Sequence, residues 1–224
     1  MEKYKFCEPI KMSRSTHFGN NYWEVFSKKV GRTIKCFSNL EYENFLTLEM
    51  NPEVEYFCEQ PLAIEIIIEN ELKKSTFDFW VKYRNNNEEF QEVKYSSELK
   101  SSNSSTRAVE QIRRQKKWCE INNCNHVVRT EEVIHNGPFF IRNLDIMAAK
   151  VRRYEALDEL YYKTQLIGAL KVGKHLSIEN LIEMEVLPIR YEFDFICYMY
   201  YKGIIKMDTS SRPLDKRMEV NLWQ

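Results

Sequence analysis

The chain has 224 residues, enough for one large domain or a medium one with a small companion, and its 43% apolar content calls for a packed core rather than disorder. Its 33 basic residues are balanced by 33 acidic ones, so the basic surface usual in a nucleic-acid enzyme is absent and such contacts must come from local patches or a partner. No apolar run reaches the 18 or so residues of a membrane span, and Met1-Glu-Lys-Tyr-Lys lacks the apolar segment of a signal peptide, so a cytoplasmic protein that meets no membrane is expected.

Cys7, Cys36, Cys58, Cys119, Cys124 and Cys197 follow no paired rhythm, which predicts free thiols in a reducing compartment. Cys119, Cys124 and His126 suggest part of a zinc site, but no fourth ligand has suitable spacing.

Up to Phe37 the chain reads as irregular segments with one short strand. Ser38-Asn-Leu-Glu41 opens a helix, because serine followed three residues later by glutamate is a capping box. Leu40, Phe45, Leu48 and Met50 supply its apolar positions, and Asn51-Pro52 stops it. Strand-like runs follow at Val54 to Cys58 and Ala63 to Glu69.

Next come Ser75-Thr-Phe-Asp78-Phe-Trp-Val81 and Phe90-Gln-Glu92-Val-Lys94, separated by a turn-forming stretch from Arg84 to Asn87. Side chains alternate across a strand, so Phe90, Glu92 and Lys94 share one face, and Phe77, Phe79 and Val81 form an apolar face that leaves Asp78 opposite. Antiparallel pairing about the turn puts Asp78 almost across from Glu92.

Acid, hairpin, then acid-x-Lys is the arrangement of one large class of metal-dependent nucleases. Cleaving a phosphodiester, among the slowest of biological hydrolyses, calls for metal held by carboxylates with a cation nearby. The same pattern also fits a solvated hairpin. Against that stands the apolar company of Asp78. Two carboxylates about 5 Å apart at an effective dielectric near 20 repel by roughly 3 kcal/mol, so a buried cluster needs a counter-cation such as a divalent metal and the Lys94 ammonium.

A serine-rich loop runs from Ser96 to Thr106 and a basic helix from about Arg107 to Asn122, with Val109, Ile112 and Trp118 toward the core. Arg107, Arg113, Arg114, Lys116 and Lys117 read first as its wet face and second, with Lys100 of the loop, as phosphate contacts near the acidic strand. A strand at His126 to Arg129 and Thr130-Glu-Glu-Val-Ile134 complete a mixed sheet flanked by helices.

Beyond about Lys150 the texture changes, which places one domain at 1–150 and a smaller one at 151–224. Helices at Tyr154 to Leu170, Ser177 to Ile182 and Tyr191 to Lys202, then a hairpin from Ile204 to Trp223, describe a winged-helix module. Its third helix offers acids and aromatics rather than residues that read base edges. Only the wing, with Arg212, Lys216 and Arg217, suits phosphates, so this domain is expected to dock a partner.

Phe26-Ser-Lys-Lys-Val-Gly-Arg32, Ser38-Asn-Leu-Glu41-Tyr-Glu-Asn-Phe-Leu, Pro52-Glu-Val, Glu59-Gln-Pro61, Ser75-Thr-Phe-Asp78-Phe, Glu92-Val-Lys94 and Thr130-Glu131 together resemble the TnsA endonucleases of heteromeric cut-and-paste transposases. That resemblance implies an α/β restriction-endonuclease-like domain of the PD-(D/E)xK type followed by a small winged helix. It puts the catalytic positions on Glu41, Asp78, Glu92 and Lys94, and Mg2+, with Mn2+ as substitute, on Glu41, Asp78, Glu92 and the Val93 carbonyl. Some members carry glutamine in place of Glu92. The implied activity is hydrolysis of double-stranded DNA at the 5′ ends of a mobile element, alongside an integrase-type transposase and an ATPase regulator.

Two other functions share these residues. One is an independent restriction or repair nuclease. The other is a non-cleaving adaptor, whose mark would be loss of an acid or the lysine, and neither is lost.

Overall fold

The computed structural model describes residues 4–11, 21–100, 107–155, 158–173 and 175–223. They form two compact units, one of Met1–Leu48 with Glu53–Ile134, the other of Glu49–Pro52 with His135–Gln224.

The first unit opens with an antiparallel hairpin of β1 (Trp23–Ser27) and β2 (Arg32–Cys36). Its turn uses Gly31 at φ 80°, a conformation that glycine adopts without a Cβ clash. Helix α1 (Asn39–Met50) starts at the Ser38 capping box, with the Glu41 amide donating to Ser38 Oγ at 3.1 Å. Leu40, Phe45, Leu46 and Leu48 are buried along it.

Strands β3 (Val54–Glu59), β4 (Ala63–Ile68), β5 (Glu71–Thr76), β6 (Phe79–Tyr83) and β7 (Glu88–Val93) come next. Short helix α2 (Ser96–Leu99), long helix α3 (Arg107–Ile121), strand β8 (Asn125–Arg129) and short helix α4 (Glu131–Ile134) complete the unit. The main sheet has the order β3-β6-β7-β8, antiparallel except for the parallel pair β7 and β8, which α3 connects. Strands β4 and β5 form a separate hairpin in which Ile64, Ile66 and Ile68 turn inward.

Aromatic packing covers both faces of the main sheet. On the α3 side Tyr56, Cys58, Ile64, Phe77, Trp80, Phe90 and Cys119 form one cluster, with Trp118 against it. On the α1 side Phe45, Phe57 and Phe79 meet edge to face.

Three expectations change in this unit. Residues 76–81 are not one strand, because the chain leaves β5 at Thr76 and enters the main sheet at Phe79. Phe77 therefore lies with Trp80 and Phe90, and not with Phe79; its ring is 4.4 Å from that of Phe90. Helix α3 buries Ala108, Gln115 and Cys119 deepest, whereas Val109 and Ile112 are only half-buried; Trp118, also half-buried, does pack against the core as expected. Of the serine-rich loop, residues 96–99 are helical and 101–106 lie outside the described residues.

The second unit contains α5 (Phe140–Arg153), α6 (Glu159–Val172), β9 (Leu176–Ser177), α7 (Ile178–Glu183), α8 (Glu192–Tyr201), β10 (Ile205–Lys206) and β11 (Glu219–Leu222). The expected division after residue 150 falls inside α5, a helix the sequence reading did not mark. That helix packs on α8, and Asp194 of α8 accepts from Lys150 at 2.8 Å and from Arg153 at 3.1 Å. Gly203 follows α8 at φ 69° as a left-handed C-terminal stop. The three short strands pair antiparallel in the order β10-β11-β9. Asn143 is fully buried and holds the segment between β10 and β11, donating to the carbonyls of Thr209 at 2.9 Å and Arg212 at 2.7 Å and accepting from the Leu214 amide at 2.9 Å.

Candidate active site

The β6–β7 register pairs Phe79 with Gln91, so Asp78 and Glu92 face each other one step beyond the last paired residues. The Asp78 backbone is fixed on both sides, since its amide donates to the Gln91 carbonyl at 3.1 Å and its own carbonyl accepts from the Gln60 amide at 2.8 Å. Asp78 Oδ2 accepts from the Val93 amide at 2.7 Å, which ties the first acid to the strand carrying the second.

Glu92 is fully buried, which rules out the solvated hairpin for this residue. Its Oε2 accepts from Gln115 Nε2 at 2.5 Å. Its Oε1 lies 2.5 Å from Lys94 Nζ as an ion pair, so both oxygens of the carboxylate are engaged. Lys94 Nζ also donates to the Val93 carbonyl at 3.3 Å. The ammonium thus occupies two of the oxygens that the sequence reading gives to a metal.

Glu41 reaches the same region from α1 while serving its cap. Its Oε1 accepts from Ser38 Oγ at 3.1 Å and its Oε2 from the Phe37 amide at 2.9 Å. Burial first, then the charge of Asp78, raise its pKa to about 7, against the pull of those hydrogen bonds and Lys94. The same two causes push Glu92 above the usual carboxylate range. Burial opposes the charge on Lys94, but Asp78 and Glu92 outweigh it and hold its pKa above the ordinary value.

Among the described residues no three acids, histidines or cysteines form a metal-holding group. Glu41 is held by its helix cap and Glu92 by Gln115, so the three acids expected to converge do not make a closed cage. What remains suits Mg2+ in kind, since that ion takes one or two carboxylates, other hard oxygens and several waters. Asp78 supplies such an oxygen, and Glu92 Oε1 and the Val93 carbonyl are two more that an ion would share with Lys94.

A cleft of about 820 Å³ opens here, lined by Glu41, Asp78, Val93 and Lys94 together with Gln60, Arg107 and Arg114. Arg107 and Arg114 of the expected phosphate contacts thus reach the site. Arg113 instead lies 3.6 Å from Glu69 and 3.9 Å from Glu110, Lys100 pairs with Glu132 at 2.7 Å, and Lys117 is exposed outside the cleft lining. In the second unit Arg212 and Arg217 both pair with Asp215, at 3.6 and 2.6 Å, and Lys216 is exposed.

Sequence reasoning missed the amides around the acids. Gln115 is fully buried, donates also to the Thr76 carbonyl at 3.0 Å, and has its Oε1 3.2 Å from His126 Nε2. On the other face Asn44, also fully buried, donates to Gln91 Oε1 at 2.8 Å and accepts from Arg129 Nε at 3.1 Å. The signal for Gln115 was its spacing from Ala108 and Cys119 on one helical face. His126 is buried enough to hold its pKa down to about 4, with Lys116 adding to the effect, so it is neutral near pH 7. The six cysteines are free thiols.

Facing acids, a lysine two residues on and a cleft edged with arginine thus lie together in a mixed α/β domain. Residues 51–131 match the family model described as TnsA-like endonuclease N terminal, which supports a TnsA-like assignment for the chain. The match includes Asp78, Glu92, Lys94 and Gln115 and stops short of Glu41. No curated protein matches the chain. No helix among the described residues is long and apolar enough to cross a membrane.

Proposed function

We propose that this chain is the Mg2+-dependent DNA endonuclease subunit of a cut-and-paste transposase, hydrolysing phosphodiesters at the 5′ ends of a mobile element. The observation that carries the reading is Asp78 facing Glu92, with Lys94 against it, inside the TnsA-like segment. Asp78, Glu92 and the Val93 carbonyl would hold Mg2+, with Glu41 completing the site directly or through water. Bound there, the ion supplies Lewis-acid polarisation of the phosphate and a more acidic water. Lys94, relieved of part of its charge pairing, would orient the attacking water or neutralise the scissile phosphate. Arg107 and Arg114 would line the path of the DNA backbone.

The second unit is proposed as a winged helix that docks a partner, the ATPase regulator. The order α6, β9, α7, α8, β10, β11 with sheet order β10-β11-β9 supports this reading. Helix α8, the base reader in such modules, has six of its ten residues buried, among them the ion-paired Asp194. That favours docking over base readout, and the pairing of Arg212 and Arg217 with Asp215 leaves the wing less free for phosphates than its composition suggested.

Calorimetric titration with Mn2+ tests the site. The native chain is expected to bind and Asp78→Ala to lose binding; a native chain that binds no divalent ion would point to the adaptor. Vigorous cleavage of naked DNA by the purified chain would point to an independent nuclease.

A further inference from the structure

Gln115 sits in the sequence Arg113-Arg-Gln-Lys-Lys117, where a glutamine reads as one more solvated side chain, yet it is fully buried. A buried primary amide is costly unless its hydrogen-bonding groups are met. Here both the nitrogen and the oxygen have partners. Nε2 donates to Glu92 Oε2 at 2.5 Å and to the Thr76 carbonyl at 3.0 Å, while Oε1 stands 3.2 Å from His126 Nε2.

These partners fix the orientation of the group. The Thr76 carbonyl can only accept, so the nitrogen of the amide must face it and Glu92, and the oxygen must face His126. An amide oxygen can only accept, so His126 must carry its proton on Nε2. His126 lies on β8 opposite Phe90 of β7, so sheet pairing brings the ring to the amide. Thr76 is two residues before Asp78. One side chain from α3 therefore holds the chain entering Asp78 and the carboxylate of Glu92 together.

Resting on the metal-site reading above, we infer that Gln115, oriented by His126, is a positioning residue that occupies Glu92 Oε2 and leaves Oε1 as the oxygen offered to a divalent cation. The positions of the two oxygens fit this division of the carboxylate, Oε2 engaged by the amide and Oε1 facing the Lys94 ammonium at 2.5 Å, where a divalent cation would compete with it. Partners of this kind set the geometry of a ligand without touching the ion, and their removal lowers metal affinity.

The experiment is calorimetric titration of the full chain with Mn2+, comparing native protein with Gln115→Met, His126→Phe and His126→Gln, each checked for native secondary structure by circular dichroism. Gln115→Met is expected to weaken Mn2+ affinity about 10- to 100-fold. His126→Phe should weaken it as well, whereas His126→Gln, which keeps an N–H donor near the Nε2 position, should stay close to native. A purely structural role would lower the melting temperature and leave the Mn2+ affinity of the folded protein unchanged. Native affinity in Gln115→Met, or in His126→Phe should Gln115→Met fail to fold, overturns the inference. His126→Gln binding as weakly as His126→Phe overturns the orienting role. Absence of Mn2+ binding by the native chain is a different result, which removes the metal reading itself and this inference with it.

Discussion

Lys94 and Glu92 form an ion pair in which the acid is fully buried and the lysine partly so. Removing one partner of such a pair strands the other charge, which costs roughly 3–5 kcal/mol. Lys94→Met should therefore destabilise the protein by about 3 kcal/mol at pH 8, and adding Glu92→Gln should recover most of the loss. The loss should shrink toward pH 5. Glu92 has a folded pKa raised from 4.5 to about 8 by burial, then Asp78, so between those values the folded form binds more protons than the unfolded form and stability falls as pH rises. Urea denaturation in metal-free buffer at pH 5 and pH 8 checks both points; a double variant no more stable than Lys94→Met would refute the pairing argument. The facing acids themselves were legible, because a turn rich in asparagine and a period of two leave little choice of register. The grip of Gln115 on Glu92 was not, since its spacing from Ala108 and Cys119 marks a buried face but does not reveal which carboxylate that face meets.

At the scale of elements, α1 owes its seat on the main sheet to apolar packing and to Asn44, one helical turn beyond Glu41. Asn44→Ala would leave Gln91 Oε1 and Arg129 Nε without this buried partner, at a cost of about 1–3 kcal/mol. Chemical denaturation measures it, and a loss under about 0.5 kcal/mol, the size of an ordinary surface change, would show the network to be incidental. Helix α1 could be read from its serine cap and proline stop, and α3 from its length. The break at Phe77 and Asp78 could not, because strand propensity runs unbroken through Thr76–Val81 while the chain changes pairing partner. Helix α5 lacks a side-chain cap to announce it, although Leu144, Met147, Ala148 and Val151 repeat at helical spacing along its buried face.

For the whole molecule, equal numbers of basic and acidic residues set a limit on unaided DNA binding. Few arginines reach the cleft unpaired, so the isolated chain should hold duplex DNA only weakly, with a Kd on the order of 10⁻⁴ to 10⁻⁶ M and a shallow salt dependence. Fluorescence anisotropy at several salt concentrations tests this; nanomolar binding that collapses with salt would mean an extensive basic surface formed in some other way. Composition announced this neutrality at once. Where the few effective cations stand depended on which acids lie beside them, as with Arg113 near Glu69 and Lys100 near Glu132, and sequence order does not reveal such neighbours.

Strand β7 lies inside the main sheet, beside its hairpin partner β6 and beside β8, whose residues come more than 30 positions later. Local contacts form early in folding and distant ones late. The nascent hairpin would thus display both acids before Gln115 and His126 arrive to seat them. A chain interrupted before β8 would carry Asp78, Glu92 and Gln115 yet lack His126, so the amide that grips Glu92 gains its orienting partner only once β8 has joined the sheet.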